Sequence, residues 1–225
     1  MSAGGDGGRP FYMAFQGFKL NPACNYGVTP TLSGLTARIT SMALSPPVLG
    51  VYHSLSGEAD IVVWAASQDT RELYKTRTAL KSEAARVCGA ESFYWLSLYK
   101  PSPYHPSPPA EEILERLRRG RRLRYLVFYP MKKSPEWYLI PVEERRRIMA
   151  EHIAIAKRET AKAKGEIRSY TTYTFGLAGW EFIVVYEVDD LAEWVRIVEE
   201  LRRAEARKWV THESPVIVGE HISQY

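Results

Sequence analysis

The chain has 225 residues, 45% hydrophobic and 25% charged, with 30 Lys+Arg against 26 Asp+Glu for a formal net charge of +4. Those proportions exclude a disordered chain and supply core material for one large domain or two small ones. The longest apolar runs, 61–66 and 182–186, fall far short of the roughly 20 residues a membrane helix needs, and the Gly-rich opening MSAGGDGGRP lacks an apolar signal core. A cytoplasmic protein with no membrane span is expected.

The Arg runs at 116–124 and 145–147 are interleaved with Glu112, Glu115, Glu143, Glu144 and Glu151. That pattern reads as solvated helix faces with i,i+4 pairs, so no nucleic-acid partner is expected. Cys24 and Cys88 are too few for a disulfide framework or a zinc finger, and each reads as a free buried thiol.

In chain order, residues 1–9 form a flexible start and 10–100 a first module. Phe11, Met13 and Phe15 alternate along a strand over 11–18. Thr29-Pro30 opens a helix to about Ala43, with proline at its first position. Strands 48–54 and 60–66 pair across Ser56-Gly57. Ser67-Gln68-Asp69 starts a helix through Leu73, Leu80 and Ala85, and 92–99 closes the module. Proline crowds the segment 101–109, so 101–121 reads as a linker followed by a basic helix.

The second module, 122–225, repeats the order. Strand 123–131 precedes a helix from Pro141 to about Lys164, with Gly165 as the residue just past its end. Strand 166–175, the turn 176–179 and strand 180–188 follow. Asp189-Asp190 caps a helix through Leu201, and 216–218 is a short last strand. The fold class is therefore α+β: two ferredoxin-like β-α-β-β-α-β modules whose sheets pair back to back or close into one antiparallel barrel, with the helices outside.

His152 lies on the apolar stripe of the Pro141 helix, three or four residues from Ile148, Met149, Ile155 and Ala156. A lone histidine there is either a core residue or one axial ligand in an apolar slot. The remaining histidines have no zinc spacing to it or to either cysteine. No phosphate-binding glycine loop and no GxSxG elbow occurs.

The stretch Tyr129-Pro130-Met131-Lys132-Lys133, followed by Trp137-Tyr138-Leu139-Ile140-Pro141-Val142-Glu143-Glu144-Arg145 and a helix bearing His152, resembles the chlorite dismutase family, its coproheme decarboxylase branch in particular. Thr174-Phe175-Gly176-Leu177, Asp189-Asp190 and Leu201-Arg202-Arg203-Ala204-Glu205 extend the match over most of 123–220. The resemblance implies heme b or iron-coproporphyrin III as the iron-bearing ligand, hydrogen peroxide as co-substrate, and a homo-oligomer, usually a ring of five. It implies His152 as the proximal iron ligand and Glu205 as its acidic partner. It assigns Tyr129 as the radical-carrying tyrosine, Met131 and Lys133 to the propionate side, and Trp137 as the first aromatic of the proximal pair. The distal position, an arginine in true chlorite dismutases, falls on Ser169 with Arg168 beside it, and strand alternation lets only one of the two face the porphyrin. The turn's second-to-last position holds Ala178 where the family has Asp, and the decarboxylases' upstream Arg-x-Tyr clamp has no clean match. The activity implied is oxidative decarboxylation of iron-coproporphyrin III to heme b. The alternatives are a peroxidase-like or sensor protein of the same family and a non-heme scaffold that works through oligomerisation.

Overall fold

The computed structural model describes residues 8–21, 23–24, 31–42 and 46–222. Among these, nine strands and six α-helices alternate along the chain. The first module comprises β1 (Phe11–Leu20), α1 (Leu32–Met42), β2 (Val48–Ser54), β3 (Ile61–Ser67), α2 (Thr70–Ala85) and β4 (Gly89–Tyr99). After α3 (Ala110–Arg119) come β5 (Tyr125–Lys133), the short α4 (Glu136–Leu139), α5 (Val142–Thr160), β6 (Ile167–Tyr173), β7 (Phe182–Val188) and α6 (Leu191–Leu201). A 3-10 turn (Glu205–Trp209), β8 (Val210–His212) and β9 (Ile217–His221) complete the fold.

The strands pair in the order β7-β6-β4-β1-β3-β2-β9-β5, and β5 pairs again with β7, so eight antiparallel strands close on themselves. Each half contributes the ferredoxin-like order: β4-β1-β3-β2 in the first, β9-β5-β7-β6 in the second. Closure removes the sheet edges that an open pair of sheets would leave. Alternation sends Phe15, Trp64, Leu126, Phe128 and Val185 into the barrel, where the Phe15 and Phe128 rings stack at 4.4 Å. Gly17 fits this interior because a Cβ there would sit 2.3 Å from the Phe93 ring. The opposite, outer faces are covered by helices: α1 and α2 over the first half, α6 over Val127 and Val188 in the second.

Several boundaries differ from the sequence reading. The expected Thr29-Pro30 helix start lies outside the described residues. Within them, the Thr31 hydroxyl accepts from the Gly34 N–H at 3.0 Å, which caps α1. α5 stops at Thr160, not near Lys164, and Gly165 is not its terminal glycine. Gly165 serves a close approach instead: a Cβ there would lie 3.0 Å from that of Asp189, whose carboxylate accepts from the Glu166 N–H. The two cysteines are not free thiols. Cys24 and Cys88 form a disulfide across 64 residues of sequence.

The end of α5 is tied to α6 by one carboxylate. Glu159 accepts from Lys162 at 2.8 Å, from Arg158 at 2.8 Å and from Arg196 of α6 at 2.9 Å. The Lys162 ammonium first, then Arg158 and Arg196, hold its carboxyl down at about 2. A depressed carboxylate stabilises the fold above its unfolded pKa and loses that contribution as pH falls toward its folded value. The melting-temperature difference between wild type and Glu159→Gln is therefore expected to be full at neutral pH and to shrink below pH 4.5 toward 2, the window set by the ordinary and folded values. A difference independent of pH would show that Glu159 acts without its charge.

Candidate functional site

The outer face of the second half forms the floor of the site. Tyr129 and Met131 of β5 share that face with Val127 by strand parity. Register places Tyr129 opposite Val184, and Tyr186 opposite both Val127 and Ser169. Val184, Tyr186, Ser169 and Thr171 therefore belong to the same face. α6 covers one end of it, while Ser169 and Thr171 remain exposed. Arg168 points the other way. Its guanidinium donates to Glu166 at 2.7 Å and to the Arg121 carbonyl at 2.8 Å, and lies 3.6 Å from Glu187, which is fully buried in the barrel end. The alternation that left Ser169 and Arg168 open thus puts Ser169, not Arg168, beside Tyr129's face.

α5 carries His152 toward this region. Ile148 packs with Trp137 and Ala206, and Met149 packs beside them. His152 Nδ1 is buried with no hydrogen-bond partner among the described residues. Burial first, then the nearby Lys133 and Arg207 cations, push the imidazole pKa down, so the ring is neutral at pH 7. A neutral imidazole with an unpartnered buried nitrogen, on a helix whose Ile148 and Met149 pack in an apolar cluster, suits an axial iron ligand, and the residues present fit a porphyrin held by one histidine. No group of three or more His, Cys, Asp or Glu among the described residues is placed to hold a bare metal ion.

Lys133 ends the β5 row but turns inward. Its ammonium lies 3.3 Å from the centre of the Trp137 ring and 3.8 Å from Met149 Sδ. A cation over an indole face keeps part of its lost hydration energy. Burial still lowers its pKa to about 8. The expected carboxylate-gripping lysine is thus seated on the His152 side of the pocket. Glu205 opens the 3-10 turn against α5. Its N–H donates to Glu151 at 3.2 Å, and its carboxylate accepts from Arg147 at 2.7 Å, within two turns of His152. Here the carboxylate is engaged by arginine and not by the imidazole. Trp137 is buried and tilted against Trp209 at 5.9 Å.

Three participants escaped the sequence reading. Glu181 accepts from the Lys133 N–H and from the Tyr138 hydroxyl, each at 2.8 Å, and so fixes the end of β5. Tyr186 lies against Tyr129, ring centres 6.4 Å apart. Arg207 binds Glu213 and bears on His152. Tyr186 was hidden in the sequence by the apolar run 182–186, Glu181 sits just before β7, and Arg207 lies in a 3-10 turn too short to leave a periodic signal.

The family model for chlorite dismutase matches residues 36–222. The coproheme decarboxylase of Mycolicibacterium smegmatis is 29% identical over 180 residues, covering 78% of this chain and 74% of that protein. A crystal structure assigned as a chlorite dismutase superposes with TM-score 0.80 at 30% identity, covering 95% of each chain. A heme-binding protein from Thermus thermophilus shares the fold, with TM-score 0.76 at 20% identity over 95% of this chain and 91% of that one. Barrel and sequence agree: the chain belongs to the chlorite dismutase family.

Proposed function

We propose that the protein binds an iron porphyrin between α5 and the outer face of β5, β7 and β6, and converts iron-coproporphyrin III to heme b with hydrogen peroxide. The observation that carries this reading is His152, neutral and with its buried Nδ1 unpartnered among the described residues, beside Lys133, the end of the β5 strand that also carries Tyr129. The bound iron would supply the oxidising power, with peroxide as the oxidant.

The chain's own residues do the rest. His152 holds the iron from the α5 side. Burial, with Lys133 and Arg207 close by, keeps the imidazole neutral and available. Lys133 sets a positive charge beside the ring and, through Trp137, fixes the pocket wall. Burial first, then the Tyr186 phenol, hold the Tyr129 hydroxyl protonated well above pH 10, so Tyr129 can give a hydrogen atom and not merely an electron. A propionate edge resting on the Tyr129–Met131 row would present its β-carbon to that phenol. The decarboxylase name of the mycolicibacterial relative supports the same substrate. Glu205, whose N–H donates to Glu151 next to His152 in sequence and whose carboxylate accepts from Arg147, would be the acidic partner of the imidazole.

The distal side sets the boundary of the activity. Decomposing chlorite needs a cation over the iron to retain the oxychlorine product. Ser169 brings no charge to the face, and Arg168 is spent on Glu166 and Glu187. Little oxygen is therefore expected from the heme-loaded protein with chlorite, followed by bleaching. Sustained oxygen release over many turnovers, read with an oxygen electrode, would contradict this placement. The direct test of the main reading is mass spectrometry of porphyrin extracted after stepwise peroxide. Successive loss of two carboxyl groups is expected; porphyrin destruction without such mass loss would favour the peroxidase-like alternative.

A further inference from the structure

Three arginines follow one another on α5, and two of them are paired. Arg146 donates to Glu143 at 2.9 Å, and Arg147 donates to Glu144 and to Glu205, each at 2.7 Å. Arg145 forms no ion pair and no side-chain hydrogen bond among the described residues, although its Nε is buried. A guanidinium drawn partly out of water with no acid beside it is costly, so an anion brought to it is favoured. Arg145 is three residues from Ile148, four from Met149 and seven from His152, so all four share one face of α5. Ile148 and Met149 pack into the cluster around Trp137, and the Lys133 ammonium reaches Met149 Sδ at 3.8 Å. The charge of Arg145 is felt at Lys133 and at Tyr138, and that of Lys133 at His152. The carboxylate in this region, Glu181, is already engaged by the Lys133 N–H and the Tyr138 hydroxyl, and the Lys133 ammonium rests on the Trp137 ring. Arg145 is therefore the cation on His152's face of α5 with capacity left for a ligand. Seven residues of helix set it about 10 Å along the axis from His152, comparable with the distance from the centre of a porphyrin to the carboxylates on its rim.

We propose that Arg145 is a specificity-determining residue of the site: its guanidinium takes one rim carboxylate of the porphyrin and makes the pocket prefer a porphyrin acid over its ester. The inference rests on the porphyrin reading above. The planar fork of N–H donors matches a carboxylate through two parallel hydrogen bonds, and the incomplete hydration of the buried Nε strengthens the pair. The carboxylate grip expected of Lys133, whose ammonium is seated over Trp137, passes in this way to Arg145, one helix turn from the Met149 that Lys133 touches.

The test is absorption titration of the full chain with iron-coproporphyrin III and with its tetramethyl ester, which has the same skeleton and no free carboxylate. Wild type is expected to bind the acid more tightly. Arg145→Ala should weaken binding of the acid by about tenfold to a hundredfold, the worth of hydrogen bonds to a charged group, and leave the ester unchanged. Arg145→Lys, which keeps the charge but not the fork, should recover part of the loss. Arg146→Ala, which removes an arginine already paired with Glu143, should change neither affinity. The ferrous iron–histidine stretch should keep its wild-type frequency in Arg145→Ala, because a lost rim contact leaves the iron bond alone whereas a loosened α5 would move it. Loss of the acid and the ester by the same factor, or an acid affinity unchanged in Arg145→Ala, overturns the proposal and leaves the porphyrin reading standing. Failure of the wild type to bind either porphyrin sinks that reading and the proposal with it.

Discussion

Tyr129→Phe is expected to bind coproheme as tightly as wild type and to lose decarboxylation. The substitution keeps the ring against Tyr186 and removes the O–H bond. Because the outer face around Tyr129 is set by the Val184 pairing and by α6, the strand should not shift. A hydrogen atom must leave the carbon next to the porphyrin ring, and no other phenol occupies the Tyr129–Met131–Lys133 row. The rate should fall by about 10²-fold or more, the scale on which removing a group that moves a proton in the transition state is felt. The check is single-turnover conversion followed by extracted-porphyrin mass. A variant that still loses carboxyl groups at a rate near wild type would show that another group abstracts the hydrogen.

Reducing the Cys24–Cys88 bond should cost the fold about 4 kcal/mol, from the loop-closure entropy of a 64-residue separation. For a chain of this size that is roughly a 10 °C fall in melting temperature. The bond ties the segment following β1 to the start of β4, where Leu20 already pairs with Gly89 and the Asn21 N–H donates to the Cys88 carbonyl at 2.8 Å. It braces the first module, whereas His152 and Tyr129 lie in the second. Cys24→Ser with Cys88→Ser should therefore lower thermal stability and leave the porphyrin spectrum unchanged. An unchanged melting temperature after reduction would show that the bond contributes no stability.

How much of this was legible beforehand depends on where each signal resides. Strand alternation and helix stripes are local, so Phe11-Met13-Phe15, the His152 stripe and the parity of Tyr129 with Met131 could be read directly. The order of elements was enough to expect two ferredoxin-like modules, but not to choose between back-to-back sheets and the closed barrel, which the pairings across the halves decide. The disulfide was not legible, because its 64-residue separation is spanned only once β1 and β4 pair. Neither was the destination of Lys133. It follows its strand's parity but ends over Trp137, whose position is set by a single turn of helix too short to leave a period. Ser169 and Arg168 could be separated only by the β6–β7 register, which puts Arg168 opposite Glu187. Tyr186 needed the β5–β7 pairing before it became a neighbour of Tyr129.

The central claim is that His152 holds the iron of a bound porphyrin, and it is tested most directly by absorption and resonance Raman spectra of the wild type and His152→Ala after titration with coproheme. The account predicts saturable binding by the wild type with a five-coordinate, histidine-ligated iron and an iron–histidine stretch in the ferrous state. It predicts that the stretch disappears in His152→Ala and returns when imidazole is added. An identical spectrum and stretch in His152→Ala would contradict it.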